Sequence, residues 1–119
     1  MESDVIKALS SCPLFAGMSE LEIEIMLGSV NYQLISMPSH ELYALAGMPC
    51  KYVDVVTKGK LICRMAALSG KQVEVSRLHS GNMVAPAFIF SKDRSLPVSV
   101  ETDGKVQLFR MRPEELKRL

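Results

Sequence analysis

An antiparallel β-roll with helices at both ends is the fold class that this 119-residue sequence predicts. Three observations predict it. The chain changes near residue 31 from helix-type patterning to short apolar β-type runs. Glycines then punctuate those runs at Gly47, Gly59, Gly70, Gly81 and Gly104, and Pro113 opens a renewed helical pattern. The intervals between these glycines are 12, 11, 11 and 23 residues, the last close to two periods. Turn signals at that spacing belong to a sandwich, jelly roll or barrel made from antiparallel strands.

The first thirty residues read as two helices. Ser3 and Asp4 are placed to cap a short helix presenting Val5, Ile6 and Leu9, and Pro13 closes it by pushing the preceding residue out of the helical region. Ser19, with Glu22 three residues on, is a capping box before Leu21, Ile23, Ile25, Met26 and Leu27, and Gly28 is expected to supply a left-handed stop. The helices thus occupy about residues 3–28.

The β region, about 31–111, carries the runs YVDVV, KLICRMA, QVEVSRL, MVAPAFIF, VSV and KVQLFRM. Alternation in YVDVV and QVEVSRL predicts one buried and one wet face for each. Asp103-Gly104 predicts a two-residue hairpin, because glycine tolerates the positive φ such a turn needs. RPEELKRL predicts a last helix over 113–119, with Pro113 at its first position and Glu114 and Glu115 near its positive end. It stops after about two turns, so a longer parent protein is expected.

The totals exclude several classes of function. A hydrophobic fraction of 48% with 23% charged residues suits a soluble globular domain, and no apolar run approaches the length of a membrane span. The opening MESDVIKALSSC has no basic segment ahead of an apolar stretch, so a cytoplasmic location is expected. Net charge is +1, too little for the phosphate-neutralising surface of a DNA-binding domain. Cys12, Cys50 and Cys63 are odd in number and far apart, which argues against disulfides and CxxC zinc sites.

Taken together, CPLFAGMSELEIEIML, AGMPCKYVDVVTKGKLICRMA, LHSGNMVAPAFIF and RSLPVSVETDGKVQLFRMRPEELKRL resemble the amino-terminal sensory domain of a Crp/Fnr-type transcription regulator. The resemblance spans the whole chain and rests on order and spacing: Leu14-Phe15 before the capped helix, Gly47 before YVDVVTKG, then Gly59, Gly81 and a final helix. It implies a double-stranded β-helix of the cyclic-nucleotide-binding kind. It also implies homodimerisation through the helix beginning at 113, and contact with DNA through a domain absent from this chain.

In nucleotide-binding members a Gly-Glu pair opens a one-turn helix whose N–H groups meet the cyclic phosphate, the Glu binds ribose, and a later Arg with a hydroxyl neighbour pairs the phosphate. Here the resemblance lays Gly-Glu on Ala85 and Pro86, and Arg-Ser on Arg94 and Ser95. Pro86 has neither an N–H nor a carboxylate, so two contacts vanish at one position. Their loss is worth roughly 2 to 5 kcal/mol, a factor of about 30 to several thousand in affinity. Cyclic AMP is therefore expected to bind weakly or not at all. The candidate effector pocket comprises Met83, Val84, Ala85, Pro86, Phe88, Arg94 and Ser95, with an unknown small molecule as occupant; the competing reading makes MVAPAFIF core packing and Arg94 a solvated loop residue.

No catalytic set, phosphate loop or metal pattern is visible, and no cofactor is expected. An iron–sulfur cluster needs four thiolates at close spacing, and a haem would rest on His79 or a cysteine alone. A cupin-like metal site would have to use His40 and His79, 39 residues apart and both in apparent turns. The eight methionines read as core filler, with Met18, Met26 and Met111 as the alternative lining of a dimer surface. The expected function is effector sensing and dimerisation without enzymatic activity, the alternatives being a ligand-independent interaction module and a cupin-like metal protein.

Overall fold

The computed structural model of the chain describes residues 3–45, 51–84 and 98–118. Helix α1 spans Ser3–Ser10 and buries Val5, Ile6, Ala8 and Leu9. Pro13 follows as foreseen, but it opens a 3₁₀ turn, Pro13–Phe15, that drives Phe15 into the core. Helix α2, Glu20–Leu27, has both halves of its capping box: Ser19 Oγ accepts from Glu22 N–H at 3.1 Å, and Glu22 Oε1 accepts from Ser19 N–H at 3.2 Å. Gly28 departs from expectation. Its φ is −68°, and its N–H closes the helix on Ile25 and Met26 carbonyls without a left-handed residue.

Among the described residues five strands follow: β1 (Gln33–Met37), β2 (Leu42–Ala44), β3 (Val53–Ala66), β4 (Gln72–Leu78) and β5 (Ser99–Met111). All pairings are antiparallel, in the order β1-β5-β3-β4, with β2 also on β5. One half of β5 pairs with β1 (Met37↔Val106 to Gln33↔Arg110) and the other with β2 (Leu42↔Glu101). Two short strands thus share one long partner, and the sheet curls into a roll. Among the described residues the architecture is the mainly β roll with amino-terminal helices that the sequence predicts.

Two expected turns are not turns. Gly59 lies inside β3 and Asp103-Gly104 inside β5, and the β3–β5 register shifts between Val56 and Lys60 where the two meet. Both glycines have positive φ (+84° and +83°), so each is a bulge residue that bends a continuous strand. Gly70 does make a hairpin turn, with Ala67 and Lys71 closing it. The Gly47 turn, Cys50 and MVAPAFIF beyond Val84 lie outside the described residues.

The alternation reading also fails, for a physical reason at each strand. Val53, Asp54, Val55, Val56 and Thr57 are all buried, because this half of β3 is central and covered on both faces. Strand β4 is exposed from Gln72 to Arg77 and only Leu78 is partly covered. The end of the chain, Pro113–Arg118, begins at the expected proline but as 3₁₀ helix in place of α.

Apolar side chains form two clusters. One joins the helices to the sheet: Val5, Leu9, Cys12, Phe15, Ile23, Val53, Val55, Phe109 and Met111, with Met18 and Met26 packed against it. Met111 is therefore a core residue, while Met18 and Met26 lie partly buried at its edge. The other fills the inside of the roll: Val56, Leu61, Cys63, Val84, Val100, Val106 and Leu108.

Candidate functional site

The stretch from Ser80 to Val84 is laid antiparallel along β3. Gly81 N–H donates to Val56 O at 2.7 Å, Val56 N–H to Asn82 O at 2.9 Å, and Val84 N–H to Asp54 O at 2.9 Å. Asn82 braces the turn through its Oδ1, which accepts from His79 N–H at 2.7 Å. Gly81 has φ +92°, and a Cβ there would stand 2.8 Å from Ser11 Cβ and 3.2 Å from Ala8 O. A side chain at 81 has no room between α1 and β3, so glycine here serves both turn and packing.

This docking places the first two residues of the sequence-predicted site, Met83 and Val84. Successive strand residues point to opposite faces, and Met83 packs against the helix-side cluster while Val84, 2% exposed, lies in the roll interior. Val98 packs on that same interior cluster. Val84 and Val98 thus stand on one apolar wall made of Leu61, Cys63, Val100 and Leu108. Of the sequence-predicted site, Met83 and Val84 are placed, on opposite faces; Ala85, Pro86, Phe88, Arg94 and Ser95 lie outside the described residues.

A second constellation escaped the sequence reading. Asp54, with no exposed surface, sits across the ladder from Arg110 and receives its guanidinium in a fork, Nε to Oδ1 at 2.9 Å and Nη2 to Oδ2 at 3.0 Å. The Tyr43 hydroxyl donates to Asp54 Oδ2 as well. The Tyr52 ring lies 4.4 Å from the guanidinium carbon, a cation–π contact. The Asp54 carboxylate pulls the Arg110 pKa further up, against the cost of burying the cation.

Arg110 opens onto a recess of about 350 Å³ lined also by Asn31, Tyr32, Tyr52, Arg112 and Glu115. Glu115 is nearly buried there, its Oε1 accepting from Asn31 N–H at 2.8 Å across 84 residues of sequence. Two sequence signals pointed to this group: an acid flanked by valines in YVDVV and an arginine flanked by Phe109 and Met111. Neither reveals its partner.

The thiols and imidazoles offer less chemistry. Cys12 and Cys63 are buried free thiols, and burial pushes the Cys12 pKa up, opposed in part by a hydrogen bond at Leu14. His40 and His79 flank turns, and no group of three or more His, Cys, Asp or Glu stands close enough to hold a metal among the described residues. Among them, too, no helix is long and apolar enough to cross a membrane.

No protein-family model and no curated protein matches the chain. Solved structures do. The regulatory domain of Toxoplasma gondii PKA, crystallised with cAMP, superposes at a TM-score of 0.78 with 13% identity, over 96% of this chain and 42% of that one. The sensor domain of the transcriptional regulator DNR from Pseudomonas aeruginosa gives 0.74 with 19% identity, over 99% of this chain and 79% of that one. A regulatory protein from Silicibacter pomeroyi gives 0.74 with 16% identity and 93% coverage, and the chain spans 50% of its length. At such identities the likeness is one of architecture. The curled sheet, the two helices ahead of it and the terminal 3₁₀ turn give this chain the β-roll fold of the PKA regulatory domain and of the DNR sensor domain.

Proposed function

We propose that the chain is the sensory domain of a Crp/Fnr-type transcription regulator and that it does not respond to cyclic AMP. One observation carries the reading: Val84 is seated on the apolar inner wall, and Pro86 follows it by two residues in the sequence. On the resemblance, Pro86 stands where a nucleotide binder needs a backbone donor and a carboxylate. The occupant in this reading is a small molecule held by the sequence-predicted pocket residues that follow Val84. Arg94 and Ser95 remain as its anion partners.

The mechanism is a population shift. An effector bound there favours one placement of the segment from Pro113 onward, through which the regulator dimerises and moves DNA-binding helices beyond Leu119. The domain is regulatory, cytoplasmic and without a catalytic role. A second reading, a ligand-independent interaction module, is favoured by the filling of the roll, where Val56, Leu61 and Leu108 have no exposed surface.

Thermal shift separates the readings. A ligand at 100 times its dissociation constant stabilises by about 2.7 kcal/mol, so a metabolite panel is expected to contain at least one compound that raises Tm, while cyclic AMP and cyclic GMP leave it unmoved. A clear shift with cyclic AMP at micromolar concentration would overturn the Pro86 argument. A flat response across the panel would leave the interaction module standing.

A further inference from the structure

We propose that the buried Asp54–Arg110 pair is the link by which a displacement of the chain at Val84 reaches the terminal turn Pro113–Arg118. The input, an effector bound beyond Val84, rests on the sensory-domain reading; the link itself is a property of the free protein.

The geometry is a row across the sheet. Val84 N–H is bonded to Asp54 O, Asp54 pairs with Arg110, and Arg110 pairs on its other side with Gln33 of β1. Two residues before Gln33 is Asn31, whose N–H holds Glu115. Two residues after Arg110 is Arg112, whose carbonyl accepts from Glu115 N–H at 2.9 Å. Asp54 and Arg110 thus stand between Val84 and two hydrogen bonds of Glu115 in the terminal turn.

The side chains make this row stiff. A bidentate fork holds two planar groups in one relative orientation. If the Asp54 backbone tilts with Val84, the guanidinium must follow or leave a wholly buried carboxylate without its counter-ion, a costly state. The alternatives are discrete, which is what a transmitting element needs. Tyr43 closes off one escape by holding Asp54 Oδ2, and Tyr52 another by covering the guanidinium. Apolar side chains of similar volume would fill the same space without that constraint.

Hydrogen exchange on the free chain tests this, with the Val84 amide reporting the entrance and the Asn31 amide the terminal latch. In the wild-type protein the two are expected to respond in step to sub-denaturing urea, as parts of one cooperative unit. In the double variant D54L/R110M the urea midpoint is expected not to fall, while Asn31 exchanges about 10-fold faster relative to Val84 and the two part company. Amides that stay in step in this variant overturn the proposal. So does a lowered midpoint with uniform acceleration of all amides, which marks the pair as structural only. Should the double variant not fold, R110K, which retains the charge and loses the fork, is read by the same two amides, and retained coupling again overturns the link. A ligand screen without any response counts against the sensory reading and leaves the amide result intact.

Discussion

Asp54 is a carboxylate with no contact with water, held by two charge-assisted bonds from Arg110 and one from Tyr43. Desolvating such a group costs several kcal/mol, which the pairing offsets. Asp54→Ala removes the carboxylate and leaves the Arg110 guanidinium, whose side chain is only 22% exposed, without its partner. The expected loss is about 3 kcal/mol, at the low end for a broken buried pair because Arg110 retains some water, and urea denaturation at neutral pH measures it. Cys12 sets a different dependence. Burial raises its pKa above the ordinary 9.0, so folding favours the thiol, and its contribution is whole below pH 9 and lost as pH rises through the raised value. Stability is therefore expected to decline as pH rises above 9, with a shallower decline in Cys12→Ala. Parallel pH curves for the two proteins would assign the slope to other groups.

Elements are held by what bends or caps them. Gly59 and Gly70 share a positive φ, yet a Cβ at Gly70 meets nothing within 4 Å, whereas one at Gly59 would stand 2.3 Å from Lys105 O. Gly70→Ala is expected to cost the left-handed strain alone, about 1 kcal/mol. Gly59→Ala adds a backbone collision at the joint of the two long strands and is expected to cost at least about 2 kcal/mol more. Paired urea midpoints check the difference; equal midpoints would mean the β3–β5 bend relaxes freely. At the corner between β1 and β2, Thr102 does comparable service. Its hydroxyl donates to Pro38 O and accepts from Glu41 N–H, both at 2.8 Å, and so ties the loop to β5.

Across the described residues, β3 and β5 form the spine to which the other strands and α1 are fastened. Strand β5 serves β1, β2 and β3 at once, α1 and the Gly81 turn lean on β3, and Glu115 ties the end of the chain to Asn31. The arrangement joins the chain end to the roll through hydrogen bonds and a buried ion pair as well as apolar contact. The outer face of the sheet carries its own charged network, with Arg77 bonded to Glu74 and Asp103 and Arg64 paired with Glu101.

The α2 capping box, the Gly70 and Gly81 turns, the Pro113 boundary and the succession of helices and strands were legible in the sequence because each depends on residues within a few positions of one another. Gly59 and Asp103-Gly104 were misread as turns because a glycine that reverses a chain and one that bends a continuous strand look alike locally; only the pairing of β3 with β5 distinguishes them. The same holds for Asp54, whose place among valines signals a wet face until Arg110, 56 residues away, arrives to neutralise it. By itself the sequence determined a β-roll with helices ahead of it and a residue without an N–H at Pro86, both properties of local chemistry. Which strands bend, which acid is buried and how Glu115 is held to Asn31 were decided by tertiary structure, because each depends on two distant segments meeting.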